Sequence, residues 1–381
     1  MKVIALGCAG HVGACFVREL VKRSPDLEVI IADNDIEAAN NLASKVCGKT
    51  SVKAVDANEH TQLVGVMEGS DIVVSTLGPY YVFGQKALRA AIEAKVDFID
   101  VDDDWDSTED CLKLDEEARK ADIIAIIGLG ATPGITNLMA KYGANKLNRV
   151  DDIHTSWAWT AIDPKATEAQ AIGQHYFHAI TGDIPTYRGG KWVNIPALSE
   201  PETVEFVPPI GRFGVSMVGH PEPITLPRYI EGVQNVCNKG GIWPESINEM
   251  AVLDMVNITR EIQIGDTRRT LGAILNEYQQ AMFLNEVVTK YGEFGIEGVV
   301  LRVEVKGEQQ GKSVRYSYGC GAPADFITAF PAVVGAWMVL GSHLKEKGVF
   351  APEGIIEPKD FFRELIKEIV VDETRVEPIS V

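Results

Sequence analysis

The chain has 381 residues, long for a single core, and its 46% hydrophobic content is ordinary for a soluble globular protein. A net charge of −18 argues against nucleic acid or an anionic membrane as partner. The six cysteines (Cys8, Cys15, Cys47, Cys111, Cys237, Cys320) form no C-x-x-C and read as reduced thiols of a cytoplasmic protein without a zinc site, and no apolar run reaches the ~18 residues of a membrane span.

Val3 to Leu6 is a short apolar run of strand length. Gly7, Gly10 and Gly13 follow, then a helical pattern with Phe16, Val17, Leu20 and Val21 on one side. Val29 to Ala32 is a second strand and ends in Asp33. This strand–glycine turn–helix–strand–acid unit is the form that binds dinucleotides. The glycines let the backbone turn and approach a pyrophosphate, whose charge is held by the free N–H groups of the helix start, at His11 and Val12. Asp33, about 20 residues beyond Gly13, is placed to accept the adenosine ribose hydroxyls and to repel a 2′-phosphate, so NAD is favoured over NADP. Ala5 to Cys8 superficially resembles a lipoprotein cleavage site, but the apolar run before it is too short for a signal peptide.

Residues 36–47 have helical spacing, and 51–55 read as a third strand ending at Asp56 and Ala57. That end lies near the adenine edge of a bound dinucleotide or caps the next helix, over 62–68. Residues 71–76 are a buried fourth strand. The loop after it, with Thr76, Leu77, Gly78 and Pro79, is expected over the nicotinamide side, because doubly wound sheets bind ligands at the carboxyl ends of their strands. A helix over 85–94, a strand over 98–101, the acids Asp102, Asp103, Asp104 and Asp106, a helix over 109–121 and a strand over 122–128 follow. The fold class is therefore α/β, with a Rossmann dinucleotide-binding domain over 1–130. At its exit Thr132 reads as a helix N-cap and Pro133 as the first residue of a helix reaching 147. From 131 to 324 the pattern changes to an α+β domain: long strands at 153–161 and 298–306, a hairpin partner at 314–318, and helices at 166–181, 244–257 and 270–290. Residues 325–346 form an apolar helix pattern interrupted by Pro331, and 358–369 a last helix.

The segments VVSTLGPYY, KALRAAIEAKVDFIDVDDDW, LDEEARKA and above all IIGLGATPGITNL resemble the saccharopine dehydrogenase family, as does the tail TAFPAVVGAWM…KGVFAPEGIIEPKDFF. The resemblance covers 1–145 and 325–365 strongly and the middle weakly. It implies that the C-terminal helices of 325–381 return to complete the first domain. It also implies that 131–324 binds substrate and forms a homodimer, and that hydride is transferred at a carbon–nitrogen bond. Two stretches depart from the family's pattern: Thr132-Pro133-Gly134 stands where an Asp-Pro-Gly turn is usual, and Asp102 to Trp105 replaces a Ser/Tyr-rich segment. These flank the expected pocket and leave the substrate open.

Several residues are candidates for the chemistry. The turn Thr132-Pro133-Gly134 offers helix N-terminal N–H groups to a substrate carboxylate, or simply caps a helix. Asp102 or Asp104 pairs with a substrate ammonium or takes its proton, or belongs to a solvated acidic turn. A metal is set aside, because consecutive acids point in different directions and no histidine is near them in the chain. Trp157 and Trp159 share one face of a strand, as core or as dimer surface. His154, His175, His178 and His220 are possible proton carriers. Arg228, after the rigid run HPEPITLP, is favoured over Arg212 and Lys191 as a carboxylate anchor. The sequence thus reads as an NAD-dependent oxidoreductase acting on the C–N bond of an amino acid or amino-acid conjugate. A nicotinamide-dependent reductase of a C=C or C=O bond and a non-catalytic NAD-binding regulator are the alternatives.

Overall fold

The computed structural model describes residues 1–160, 175, 178–208, 210–243, 261–264, 267–270 and 298–376. The chain opens as alternating strands and helices: β1 (Lys2–Leu6), α1 (His11–Arg23), β2 (Glu28–Asp33), α2 (Ile36–Lys45), β3 (Lys49–Ala54), α3 (His60–Met67), β4 (Ile72–Ser75), α4 (Tyr80–Ala94), β5 (Asp97–Asp100), α5 (Trp105–Leu112), α6 (Asp115–Ala121) and β6 (Ile124–Ile126). Next come α7 (Ile135–Ala144), β7 (Arg149–Thr160), β8 (Asp183–Arg188), β9 (Lys191–Pro196), β10 (Glu202–Glu205), β11 (Arg212–Met217), α8 (Glu222–Tyr229) and β12 (Asn235–Trp243). The described remainder holds β13 (Glu261–Ile264), β14 (Thr267–Thr270), β15 (Gly298–Gln309), β16 (Lys312–Ala322), α9 (Ala324–Leu340), β17 (Gly348–Phe350), α10 (Pro352–Ile355), α11 (Pro358–Leu365) and β18 (Val371–Val376).

The first sheet has seven parallel strands in the order β17-β6-β5-β4-β1-β2-β3. Its interior strands β1, β4 and β5 are almost wholly buried, as expected when helices cover both faces. The edge strand β3 is exposed and carries Lys49 and Lys53, which discourage pairing with another chain. The strand order reverses between β1 and β4, so their carboxyl ends open the crevice in which such sheets bind ligands. The chain returns to this sheet near its end: β17 pairs with β6, and α9 lies on α1 with Arg23 over the Phe330 ring and Trp337 Nε1 donating to Ser24 Oγ.

The second sheet is mixed and runs β10-β11-β12-β7-β15-β16-β18, with the β8–β9 hairpin joined to β12. β12 and β7 are parallel, while β7, β15 and β16 are antiparallel neighbours. Alternation along β7 puts Trp157 and Trp159 on one face and His154 and Ala158 on the other. The hairpin expected at 298–318 is present and longer, turning at Gln310-Gly311.

Several expected boundaries shift. The helix expected at 85 begins at Tyr80, directly after Pro79, whose fixed φ suits the entry to a helix. The helix expected over 109–121 is two, because buried Leu114 leaves helical geometry between them. Pro331 does not interrupt α9; eight residues from 329 to 336 around it are buried, and that packing outweighs one lost backbone bond. The final helix stops at Leu365. The tail then alternates as Val371-Asp-Glu-Thr-Arg-Val376 and pairs with β16, so this part of 325–381 joins the second sheet and not the first. The run HPEPITLP over 220–227, read as rigid and loop-like, lies mostly in helix α8 (Glu222–Tyr229), with Pro227 inside it. The helices expected at 166–181, 244–257 and 270–290 lie largely outside the described residues. Among the described residues no helix is long and apolar enough to cross a membrane.

Candidate active site

A cleft of about 470 Å³ runs from the glycine turn after β1 to the face of β7. At its first end the three glycines do different work. Gly7 has φ +71°, and a Cβ there would lie 2.8 Å from Leu77 Cα, so Leu77 packs directly on the turn. A Cβ on Gly13 would sit 2.4 Å from Thr76 Oγ1 and 2.5 Å from Cys8 Cα, so α1 lies tight against the strands. Around Gly10 the nearest atom is 3.9 Å away, which leaves open space at the N-terminus of α1. Ala14 is the first amide of α1 to find a backbone acceptor, Gly10 O. The amides before it, from His11 to Gly13, lie in the cleft wall with Gly7, Thr76, Gly78 and Pro79. A pyrophosphate fits this cradle, since the one position that must be bare is bare and the donors there have no helical partner. Asp33, 9% exposed, accepts from Ala9 N at 2.8 Å and Asp35 N at 3.0 Å, so it braces the turn while each oxygen keeps a free lone pair. Asp56 is exposed and accepts from Asn58 N at 2.9 Å, a local turn outside the cleft, with Ala57 beside it.

At the other end the acidic run after β5 is extended, so its side chains alternate. Asp100, Asp102 and Asp104 turn inward and are fully buried. Asp100 accepts from Asp102 N and Gly128 N; Asp102 accepts from Asp104 N at 2.9 Å and Ser107 Oγ at 2.5 Å; Asp104 accepts from Tyr81 N at 2.9 Å. Asp100 and Asp102 thus each hold the amide two residues on, and Asp104 ties the loop to the start of α4. Burial, together with the neighbouring Asp100 and Asp104, pushes Asp102 well above the usual carboxylate range. Neither Asp102 nor Asp104 lines the cleft; the residue between them, Asp103, does.

His175 comes to this loop from the other part of the chain. Its Nδ1 is 2.8 Å from Asp104 Oδ1 and its Nε2 is 3.2 Å from Asp103 Oδ2. Burial alone would lower the imidazole, but the two carboxylates raise it to about 9, so it is an imidazolium at neutral pH. Burial would raise Asp104, yet the His175 hydrogen bond and charge and the Tyr81 amide bring it below its ordinary value. His178 pairs with Asp106 at 3.0 Å and stacks on Tyr81 with ring centroids 4.5 Å apart. The fold thus supplies the histidine that the chain order withheld from the acids: Asp103, Asp104 and His175 present ligand-type atoms within 4.8 Å of one another, with both ring nitrogens engaged by the carboxylates.

Two expectations for substrate binding change. Gly134, not Thr132, caps α7: its φ of +123° suits glycine alone, and Thr132 Oγ1 instead donates to Glu222 Oε1 at 2.5 Å. Behind Thr132 the N–H groups of the helix start are consumed, Gly134 N by Asn137 Oδ1, Ile135 N by Gly130 O and Thr136 N by Ala131 O, while Pro133 has none. Only Thr132 of that turn lines the cleft. Arg228 also faces elsewhere, because its place on α8 directs it to Ile224 O at 3.1 Å and over the Trp192 ring at 5.5 Å. An Arg228→Ala variant is expected to keep its substrate KM within about twofold, the range for a residue making no substrate contact. A tenfold rise in KM would restore it as an anchor.

Trp157, Trp159 and His220 also line the cleft. His220 is 2% exposed, stands 5.5 Å from the Trp157 ring and 5.7 Å from the His175 ring, and has Glu222 Oε2 3.5 Å from its Nδ1. Asp103 was passed over for its neighbours; counting alternate residues from the buried end of β5 is the signal that singles it out. None of the described residues lining the cleft is lysine or arginine.

Residues 3–126 match the family profile described as the saccharopine dehydrogenase NADP binding domain, and residues 130–371 match the saccharopine dehydrogenase C-terminal domain. A carboxyaminopropylagmatine dehydrogenase of Synechocystis sp. is 23% identical over 400 aligned residues, covering 96% of this chain and 95% of the relative. A carboxynorspermidine synthase of Vibrio cholerae is 23% identical over 262 residues, 60% of each chain. Among solved structures, apo saccharopine dehydrogenase (L-Glu forming) from Saccharomyces cerevisiae superposes with a TM-score of 0.70 over 98% of this chain and 99% of that one. At 16% identity that likeness concerns the fold.

Proposed function

The chain belongs to the saccharopine dehydrogenase family, and from that premise we propose that its cleft oxidises or forms the C–N bond of an amino-acid conjugate of an amine, with a nicotinamide cofactor on the glycine turn. The observation that carries this reading is the Asp103–His175 pair in the cleft, with Asp104 holding the His175 ring from behind. When bound, the nicotinamide gives or takes the hydride. Asp103 holds the cationic nitrogen at the wall. In the oxidative direction the His175–Asp103 pair accepts the nitrogen's proton, which frees the lone pair that closes the C=N bond as the hydride leaves. In the reductive direction the same pair returns that proton. Asp104, out of reach of the cleft, fixes the ring of His175. The relatives named for carboxynorspermidine and carboxyaminopropylagmatine support amines that bear several cationic nitrogens and a carboxylate as the substrate class.

The cofactor reading is NAD. Asp33 stands at the end of β2, and the following Asn34-Asp35-Ile36-Glu37 supplies further acid and no cation for a 2′-phosphate. The family profile's description as NADP binding points the other way, so the side chain itself is the test. Asp33→Ala is expected to weaken NAD binding about tenfold to a hundredfold, the scale of a hydrogen bond to a charged group, and to narrow the preference against NADP. An unchanged NAD/NADP ratio of kcat/KM contradicts this role. The unpaired cysteines support a reducing, cytoplasmic setting, and the reading includes a homodimer through the second sheet.

The activity test follows nicotinamide absorbance with NAD and NADP in parallel, at alkaline pH, against saccharopine, L-lysine, carboxynorspermidine and carboxyaminopropylagmatine. Turnover of an amine conjugate is the expected result. Cofactor binding without turnover of any of these substrates would move the function to another bond or to regulation.

A further inference from the structure

The cleft contains polar groups that the proton chemistry does not use. Trp159 Nε1 is buried without a hydrogen-bond partner, and so are both ring nitrogens of His220. Trp159 and His220 line the same cleft. The neighbouring Trp157 shows what a satisfied indole looks like here: its Nε1 donates to Asn238 Oδ1 at 3.1 Å. A buried donor left unmade costs free energy, and an indole N–H can only donate, so it demands an acceptor. His220 is prepared for the same task. Glu222 is fully buried, with Oε1 taken by Thr132 and Thr136 and Oε2 free of other donors, 3.5 Å from His220 Nδ1. With a proton on each ring nitrogen, Nδ1–H meets the Glu222 carboxylate and Nε2–H is left to donate to a ligand.

We propose that Trp159 Nε1 and His220 form the subsite that receives the carboxylate of the substrate. The subsite rests on the C–N oxidoreductase reading for its biological meaning, but its binding chemistry stands apart from turnover. It divides the cleft by charge. Asp103 takes the cationic nitrogen and the Trp159–His220 pair takes the anion, so a zwitterionic amine conjugate is held in one orientation. Glu222 acts as a positioning residue, holding His220 and Thr132 from behind.

Calorimetric titration of the protein loaded with reduced cofactor tests this without turnover, because oxidation of an amine needs the oxidised form. The probes are two pairs that differ by one carboxylate, carboxynorspermidine with norspermidine and L-lysine with cadaverine. In at least one pair, the carboxylate-bearing member is expected to bind the unsubstituted protein at least tenfold more tightly. In Trp159→Phe, which keeps an aromatic ring but loses the indole N–H and part of the ring area, the gap should shrink about tenfold while the affinity for the decarboxylated member changes much less. His220→Gln is the second variant and should reduce the same gap. Equal affinities within both pairs, no binding of either carboxylate, or a gap undiminished in both variants would overturn the subsite. Turnover in the absorbance assay with an undiminished gap would refute the subsite alone; a gap that responds to Trp159→Phe without turnover would refute the hydride reading alone.

Discussion

A His175→Gln variant should lose kcat by about two to four orders of magnitude, the range for removing a positioned acid–base group, while still binding the cofactor. The pH profile says why. With its two carboxylates His175 titrates at about 9, against an ordinary value near 6.5. Amine oxidation needs the free imidazole, so its rate should climb as pH rises and level off above about 9. The reverse direction needs the imidazolium and should fall across the same range. His175→Gln should remove that limb. Asp103→Asn should move it to lower pH, because it deletes the carboxylate whose charge raises the imidazole most. The linkage to stability has the same sign. The ion pairs of His175 contribute fully below about pH 6.5 and are lost as pH rises through about 9. A profile in which His175→Gln keeps the alkaline limb would assign that limb to another group.

Gly134→Ala should be the most damaging small substitution in the described chain. Its φ of +123° is closed to other residues, and an added Cβ would lie 2.1 Å from Gly130 O and 2.5 Å from Gly130 N, both backbone atoms that cannot move alone. The expected loss is about 3 kcal/mol or more, since strain and overpacking act together. It should appear as a melting transition several degrees lower. Because Thr132 and Thr136 on either side hold Glu222, activity should fall with it. Gly65→Ala is the control. Gly65 is exposed within α3 with nothing within 4 Å of a Cβ, so alanine should be neutral or stabilising by up to about 1 kcal/mol. If both variants melt alike, backbone geometry at Gly134 is not what holds this junction.

The first sheet was legible because its signals are local. A strand, a glycine turn, a helix and a closing acid lie within the first 33 residues, and the strands that follow are apolar runs cut by turns. The cleft was legible only in part, because it is made by contacts distant in sequence. Seventy-one positions separate His175 from Asp104, and no spacing rule joins them. The acid run was located, but the choice between Asp102, Asp103 and Asp104 depends on which parity of an extended segment turns inward, and Gly128 and Ser107 decide that. Arg228 misled because chemistry alone nominates an arginine, whereas the helical phase of α8 points it at Trp192. The tail misled differently: Val371–Val376 carries a strand pattern too short to outweigh the helices before it until β16 provides the open edge.

The most direct measurement is isotopic. Reduced nicotinamide cofactor deuterated at C4 would be incubated with the protein and the amine and carbonyl halves of the conjugate that turns over, and the product examined by NMR. Deuterium on the carbon bonded to the new nitrogen, diminished with the rate in His175→Gln, is the predicted result. Product with deuterium at any other carbon, or cofactor consumed with none in a C–H beside nitrogen, would contradict the account.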